Sequence, residues 1–353
     1  MILHLFWRLC AVVVLFAAIT PAHAERRFGS VAVYCDTFAY CIVSPEMPEP
    51  LGDPATFRFE RDGKANAPIK VLVRVNKPVE GGVPVRLQFG ERVFELQPGT
   101  DVLTEWLTDE DDGTKWLSGY RIAPSRVDEV IAAMRAVDTA RLKVAVAGKN
   151  QERQMLLDGM DNALRWLDEI QGRTGAQDAV LDKGPREATG AALPKALPKK
   201  DAWPKEIMRI YQREKCGQMP FPFDPLSAGF IATPAPGHEL WGIACNGGNY
   251  NTQYVMIGVR NGDMKTARLM LFPTRTSKRA AGEMINARWW DARKEVWAFH
   301  RGRSFGDCGT VSQHKWTERG FQLITERKKD DCDDKFEDPW TKWPEAKAKR
   351  KQR

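Results

Sequence analysis

The sequence predicts a mainly β protein of the α+β kind, built as two sandwich- or meander-like β-rich domains with a few covering helices. Three observations carry that prediction. Apolar and polar residues alternate over many short runs, turn-forming residues separate the runs, and six cysteines remain behind an N-terminal export signal.

The signal comes first. Arg8 precedes an apolar run from Leu9 to Ile19, and Pro21, Ala22, His23 and Ala24 lead to Glu25, which is the pattern of a cleavable signal peptide over residues 1–24. The run is far shorter than the roughly 20 residues that span a bilayer. Cys10 leaves with the signal and, lying before the apolar run, is misplaced for a lipid anchor. The mature chain keeps Cys35, Cys41, Cys216, Cys245, Cys308 and Cys332, an even set that suits the periplasm or the exterior, where disulfides persist. Connectivity is open from sequence. Pairing between neighbours (Cys35 with Cys41, Cys216 with Cys245, Cys308 with Cys332) is favoured because each staple then stays within one domain. A zinc site is not expected, since a paired C-x-x-C is absent and only His238, His300 and His314 survive in the mature chain.

The mature length fits two domains of about 150 residues each, and composition marks the boundary. Residues 25–178 are read as the first domain and 179–206 as a solvated linker of proline, lysine and alanine. Residues 207–336 are read as a tryptophan-rich second domain, and 337–353 as a basic tail without enough apolar surface to order itself.

In the first domain, Gly29 to Glu46 alternates as two strands around Cys35 and Cys41. Ile69–Val75, Val83–Phe89 and Arg92–Leu96 alternate strictly, and Gly81-Gly82 and Gly90-Glu91 offer tight turns, so the expected order is an antiparallel meander. Ser125 is placed as the N-cap of a short helix carrying Val127, Val130, Ile131 and Met134 at helical spacing. After a strand over Arg141–Gly148, a second helix within Leu156–Gln171 sets Leu157, Met160, Leu164 and Leu167 on the face that covers the sheet.

The second domain repeats the strand logic in Glu239–Cys245, Tyr254–Arg260, Ala267–Phe272, Glu295–Arg301 and Gly320–Arg327. Asn261-Gly262-Asp263 marks one of the turns, and a helix over Ile207–Lys215 stands ahead of the strands. Trp241 and Trp297, whose neighbours alternate, are read as core. The adjacent Trp289 and Trp290 must point to opposite sides of an extended segment, which leaves one of them to face solvent.

Several segments joined to the cysteines are distinctive: CDTFAYC (Cys35–Cys41), LDEIQGRTG (Leu167–Gly175), CNGGNYN (Cys245–Asn251), GRSFGDCG (Gly302–Gly309) and KWTERGFQL (Lys315–Leu323). With these, nearly the whole mature chain resembles the six-cysteine periplasmic family catalogued as domain of unknown function 1176, and all six family cysteines have counterparts here. The family has no assigned activity. Residues 28–170, with an early cysteine pair, then strands, then helices, also resemble the invasion-associated locus B family. That likeness implies an envelope protein with a β-sandwich-like core and brings no catalytic residue with it.

Local features offer two classes of function. Gly302-Arg303-Ser304-Phe305-Gly306 is a literal G-x-S-x-G, but a nucleophile elbow needs a helix leading out of the turn, and here Cys308, Gly309 and an alternating strand-like segment follow. A hydrolase would have to draw on Ser304, Asp307, His300 and His314. The leading expectation is a binding or inhibitor-type module for an envelope protein or cell-wall polymer, with Trp289, Trp290, Arg301 and Arg303 as candidate contacts. The acidic runs Asp109–Asp112 and Asp330, Asp331, Asp333, Asp334 lack the ligand spacing of an EF-hand loop, so they are read as solvated turns and no metal or other cofactor is assigned. The net charge is +7. Much of it lies in the linker and tail, and the tail suits anionic surfaces; nucleic acid is excluded as a partner for an exported chain.

Overall fold

The structure is a computed structural model, and it describes residues 26–48, 55–75, 82–108, 115–146, 148–189, 193–217, 229–248, 250–277, 279–304, 306–335 and 337–347. The expected signal peptide and the acidic loop Asp109–Asp112 lie outside the described residues. The fold is mainly β, in antiparallel sheets with three helices among the described residues.

The chain opens with β1 (Arg26–Phe28), β2 (Val31–Cys35), β3 (Cys41–Pro45), β4 (Thr56–Arg61) and β5 (Lys70–Arg74). It continues through β6 (Val85–Phe89), β7 (Arg92–Leu96), β8 (Val102–Thr108) and β9 (Lys115–Ile122). One sheet takes the order β1-β2-β3-β4-β5-β9-β8. β6 and β7 instead join β10 (Thr139–Val146) and β11 (Lys149–Leu156) in a second sheet, ordered β11-β10-β6-β7. The expected meander from Ile69 to Leu96 therefore holds only for β6 and β7, and the chain changes sheets after β5. The reason lies in β5 itself: Val71, Leu72 and Val73 are all buried, so both faces of this strand are covered and it needs an interior place between β4 and β9. The Gly90-Glu91 turn is as expected, with Phe89 paired to Arg92 and Gly90 at φ +59°.

α1 (Pro124–Met134) buries Val127, Val130, Ile131 and Met134. Its N-cap is Ala123, not Ser125, because Pro124 occupies the first helical position, where a missing N–H costs nothing and the fixed φ favours the turn. α2 (Met160–Ile170) lies on β1, β2 and β3. Its entry needs Gly159, at φ +87°, since a Cβ there would sit 2.0 Å from the carbonyl oxygen of Phe28. That close approach holds the start of α2 against β1.

The second half contains β12 (Lys195–Ala196), α3 (Lys205–Arg213), β13 (Gly229–Ala235), β14 (His238–Gly247), β15 (Thr252–Arg260), β16 (Asp263–Leu269) and β17 (Glu283–Ile285). β12 to β16 form one sheet in sequence order, and β17 pairs with β15. β18 (Arg288–Trp290), β19 (Glu295–Arg301), β20 (Gly309–Thr317) and β21 (Gly320–Lys329) form another, also in sequence order. The turn at Asn261 and Gly262 has φ of 52° and 68°, which the sequence Asn-Gly accommodates without strain.

Two segments expected to be solvated are laid onto the protein. Within the linker, Leu181 is buried and β12 pairs with Phe230 and Ile231 of β13. In the tail, Trp340 and Trp343 are buried, the Lys328 N–H donates to Pro344 O at 3.0 Å, and the Ala346 N–H donates to Glu326 O at 2.9 Å. Residues 337–347 are thus docked. They hold only Lys342 and Lys347, the denser basic run falling in 348–353 outside the described residues, and two tryptophans three residues apart supply the apolar area that anchors them. The main hydrophobic core spans the linker: it holds strands β2 to β6, both N-terminal helices, and Trp290, Trp297, Trp340 and Trp343 from the second half.

Candidate functional site

Burial decides the fate of the expected contacts. Trp289 and Trp290 do point to opposite sides, but each enters a core. Trp289 is fully buried with Phe230, Leu240 and Phe321, while Trp290 stands edge-on to Trp166 at 5.1 Å and packs on Trp297 at 4.1 Å. Neither ring can reach a partner, because both faces of β18 are covered. Arg303 is bound twice to the buried carboxylate of Asp307, at 2.8 and 2.5 Å, and once to Asp334 at 2.5 Å. The Arg301 N–H donates to Asn251 Oδ1, and the Arg301 guanidinium lies 5.8 Å from the Phe299 ring. The four residues do not make one exposed patch.

The hydrolase set is dispersed. His314 is fully buried, with Nε2 2.8 Å from Pro273 O; a carbonyl can only accept, so Nε2 carries the proton, and burial holds the imidazole's pKa below its usual value. His300 is exposed, and the β19–β20 register puts it four residues along the ladder from the partner of His314, roughly 13 Å away. The hydrogen bond from Arg303 holds the Asp307 carboxyl down to about 2, so it is a structural anion. Ser304 is exposed in the loop between β19 and β20; a strand, not a helix, follows it. Among the described residues no hydrogen bond joins Ser304 to either histidine.

The acidic run near Cys332 is largely neutralised by neighbours: Asp330 pairs with Lys328, Asp333 with Lys329 and Asp334 with Arg303. Asp307, Cys308 and Cys332 lie within 4.8 Å of one another, but both sulfurs are consumed in a disulfide. The cysteines pair as sequence neighbours: Cys35–Cys41, Cys216–Cys245 and Cys308–Cys332.

The distinctive segments turn out to be staples. In Leu167–Gly175, the Asp168 carboxylate accepts N–H bonds from Val180 (2.9 Å) and Leu181 (3.0 Å) and pairs with Arg61 at 3.1 Å. Gln171 donates to Ala39 O and Arg61 O, and Arg173 pairs with Asp178 and donates to the Asp62 and Lys64 carbonyls. Burial and the neighbouring Arg173 push Arg61 down to about 10, while burial raises the Asp168 carboxyl. In Cys245–Asn251, the Asn251 side chain exchanges two hydrogen bonds with the Arg301 backbone, and Asn286 donates to Tyr250 O, Asn251 Oδ1 and Phe299 O. Two side-chain amides thereby tie the start of β15 to the end of β19.

What the structure adds is a cleft of about 520 Å³ where the halves meet. Its inner wall is Phe28 and the buried Trp166, with the Arg26 guanidinium 5.1 Å from the Phe28 ring. Burial pushes Arg26 below the usual arginine value, and Asp338 at 3.9 Å opposes that shift. The rim carries two ion pairs, Arg165–Asp182 at 2.7 Å and Arg293–Glu169, together with Asn162 and Thr174. Asn162 and Thr174 are exposed, and among the described residues their side chains make no hydrogen bond. Helical spacing of Asn162, Arg165 and Glu169 marks the polar face of α2 in the sequence. The arrival of β1 and of Arg293 at that face is tertiary and has no local signal.

A family model described as "Protein of unknown function (DUF1176)" matches residues 25–347. The chain belongs to that family. The segments that staple this DUF1176 protein are therefore structural before they are anything else. No curated protein matches the chain. Among solved structures, the chain is similar to "invasion associated protein b" from Bartonella henselae, at 20% identity over 41% of this chain and 96% of that one, with a TM-score of 0.30.

Proposed function

We propose that this DUF1176 protein is an exported, disulfide-stapled binding module of the cell envelope, and that the cleft between α2, β1 and Arg293 seats its ligand. The observation that carries the reading is the cleft: its volume falls within the roughly 300–1,000 Å³ of small-ligand sites. Its lining combines an aromatic wall, ion pairs whose charges can be re-partnered, and the unengaged amide of Asn162 and hydroxyl of Thr174. That mixture suits a polar segment with both donors and acceptors, such as a short stretch of an envelope protein or a peptide-bearing cell-wall fragment. Three disulfides support export, since such bonds persist in oxidising compartments.

The test is capture on immobilised, oxidised mature protein from envelope extract and from sheared peptidoglycan, with bound protein and sugar both identified. An Asn162→Ala, Arg165→Glu variant, both changes on the exposed face of α2, is expected to lose the saturable ligand. Failure of wild type to retain either material, or equal retention by the variant, would refute the reading.

A further inference from the structure

α3 is amphipathic in an unusual way for this protein. Ile207, Ile210 and Tyr211 are buried against β15 and β16, so the apolar face is already spent inside the fold. Lys205, Arg209 and Arg213 recur at i, i+4 and i+8 on the exposed face, and Lys199 and Lys215, at either end of the segment, are exposed too. Elsewhere Arg61, Arg126, Arg135, Arg165, Arg293 and Arg303 hold carboxylates, and the exposed Arg86, Arg260, Arg268, Arg279 and Arg319, which among the described residues make no ion pair, are not set at helical spacing on one face. Here, among the described residues, the side chains of Lys199, Lys205, Arg209 and Lys215 make no ion pair or hydrogen bond. Only Arg213 is paired, with Glu214, and the remaining acidic residues of the segment are Asp201 and Glu206.

We propose that this exposed face of α3 is a docking surface for an anionic phospholipid surface. The argument is charge complementarity. Cations at i, i+4 and i+8 on the convex exterior of a helix can meet a plane of headgroups together, whereas single polyanionic strands are usually held in grooves. Because the apolar side of α3 is committed to the core, the contact is peripheral and electrostatic, without insertion. It is separate from the cleft and does not depend on it.

Co-sedimentation of the full mature chain with vesicles tests the proposal, using phosphatidylcholine alone and phosphatidylcholine with one-third phosphatidylglycerol. Binding is expected only to the anionic vesicles, and it should weaken between about 0.05 M and about 0.5 M salt. At about fivefold per basic residue, Lys199→Gln, Lys205→Gln, Arg209→Gln should lower the partition on the order of a hundredfold, with the circular dichroism spectrum unchanged. A chain lacking residues 348–353 should still bind. Wild-type partition in the triple variant, loss only on removing 348–353, or binding to a soluble polyanion but not to vesicles would each overturn the proposal.

Discussion

Asp168→Asn is the sharpest single perturbation of the scaffold. The carboxylate is buried between Arg61 and Arg173, themselves 3% and 0% exposed, and accepts the main-chain N–H groups of Val180 and Leu181. Oδ1 faces Arg61 and Val180, while Oδ2 faces Val180 and Leu181, so either orientation of an amide turns its NH₂ toward donors. Removing one member of a buried ion pair costs about 3–5 kcal/mol. That range already includes much of the cost of the stranded hydrogen-bond donors, so about 4 kcal/mol is expected, a large share of a typical domain's stability. Urea unfolding of the oxidised protein, followed by tryptophan fluorescence, measures it. Combined with Arg61→Gln, the double variant should cost less than the two singles together by at least about 1 kcal/mol, because the lone charge is no longer stranded. A loss below about 1 kcal/mol for Asp168→Asn, or additivity within about 0.5 kcal/mol, would refute the view that this network locks α2 to β4.

The other expectations concern the disulfides and pH. Cys216→Ser with Cys245→Ser opens a loop with a sequence separation of 29 and should cost about 3.5 kcal/mol, against about 2 kcal/mol for the Cys35 and Cys41 pair, separated by 6; reversed ranking in urea would contradict the loop argument. His314 has a folded pKa below its unfolded value, so the unfolded chain binds the extra proton, and stability should fall as pH drops below about 6.5. Melting temperatures at pH 7.5 and pH 5 should differ less in His314→Gln, whose amide can still donate to Pro273. Asp307, lowered to about 2, acts in a more acidic window: its contribution is present above the usual carboxylate pKa and disappears as pH falls through about 2. Asp307→Asn should flatten that acid limb.

Much of the fold could be read because it rests on local periodicity. β6 and β7 fall on alternating runs, β14, β15, β19 and β21 on short strand-like runs bounded by turn residues, and the buried faces of α1 and α2 follow from helical spacing. The sheet change after β5 was hidden, because alternation reports one buried face and Leu72 covers a second. Composition misled at the C-terminus, where averaging over lysines concealed Trp340 and Trp343. Exposure of Trp289 or Trp290 could not be settled by strand geometry, which fixes opposite sides but not what lies on each side. The cleft was least legible of all: Arg26, Trp166 and Arg293 lie far apart in sequence, and none belongs to a chemical motif.

The same tryptophans explain why the cleft exists and why it should be rigid. Trp166 of α2 touches Trp290 of β18, Trp290 touches Trp297 of β19, and Trp297 lies 4.3 Å from Trp340 of the docked C-terminal segment. This chain of rings runs from one half of the molecule to the other and ends beside Asp338, the partner of Arg26 in the cleft wall. Aromatic pairs of this kind contribute about 0.5–1.5 kcal/mol each beyond their buried area. The junction therefore resists hinge motion, and a ligand of the proposed site between α2 and Arg293 would meet a preformed surface with little ordering cost on the protein's side. A binding module gains affinity from that arrangement. Ser304, His300, His314 and Asp307 do not line this cleft, so a hydrolase drawing on them would have to work at another place.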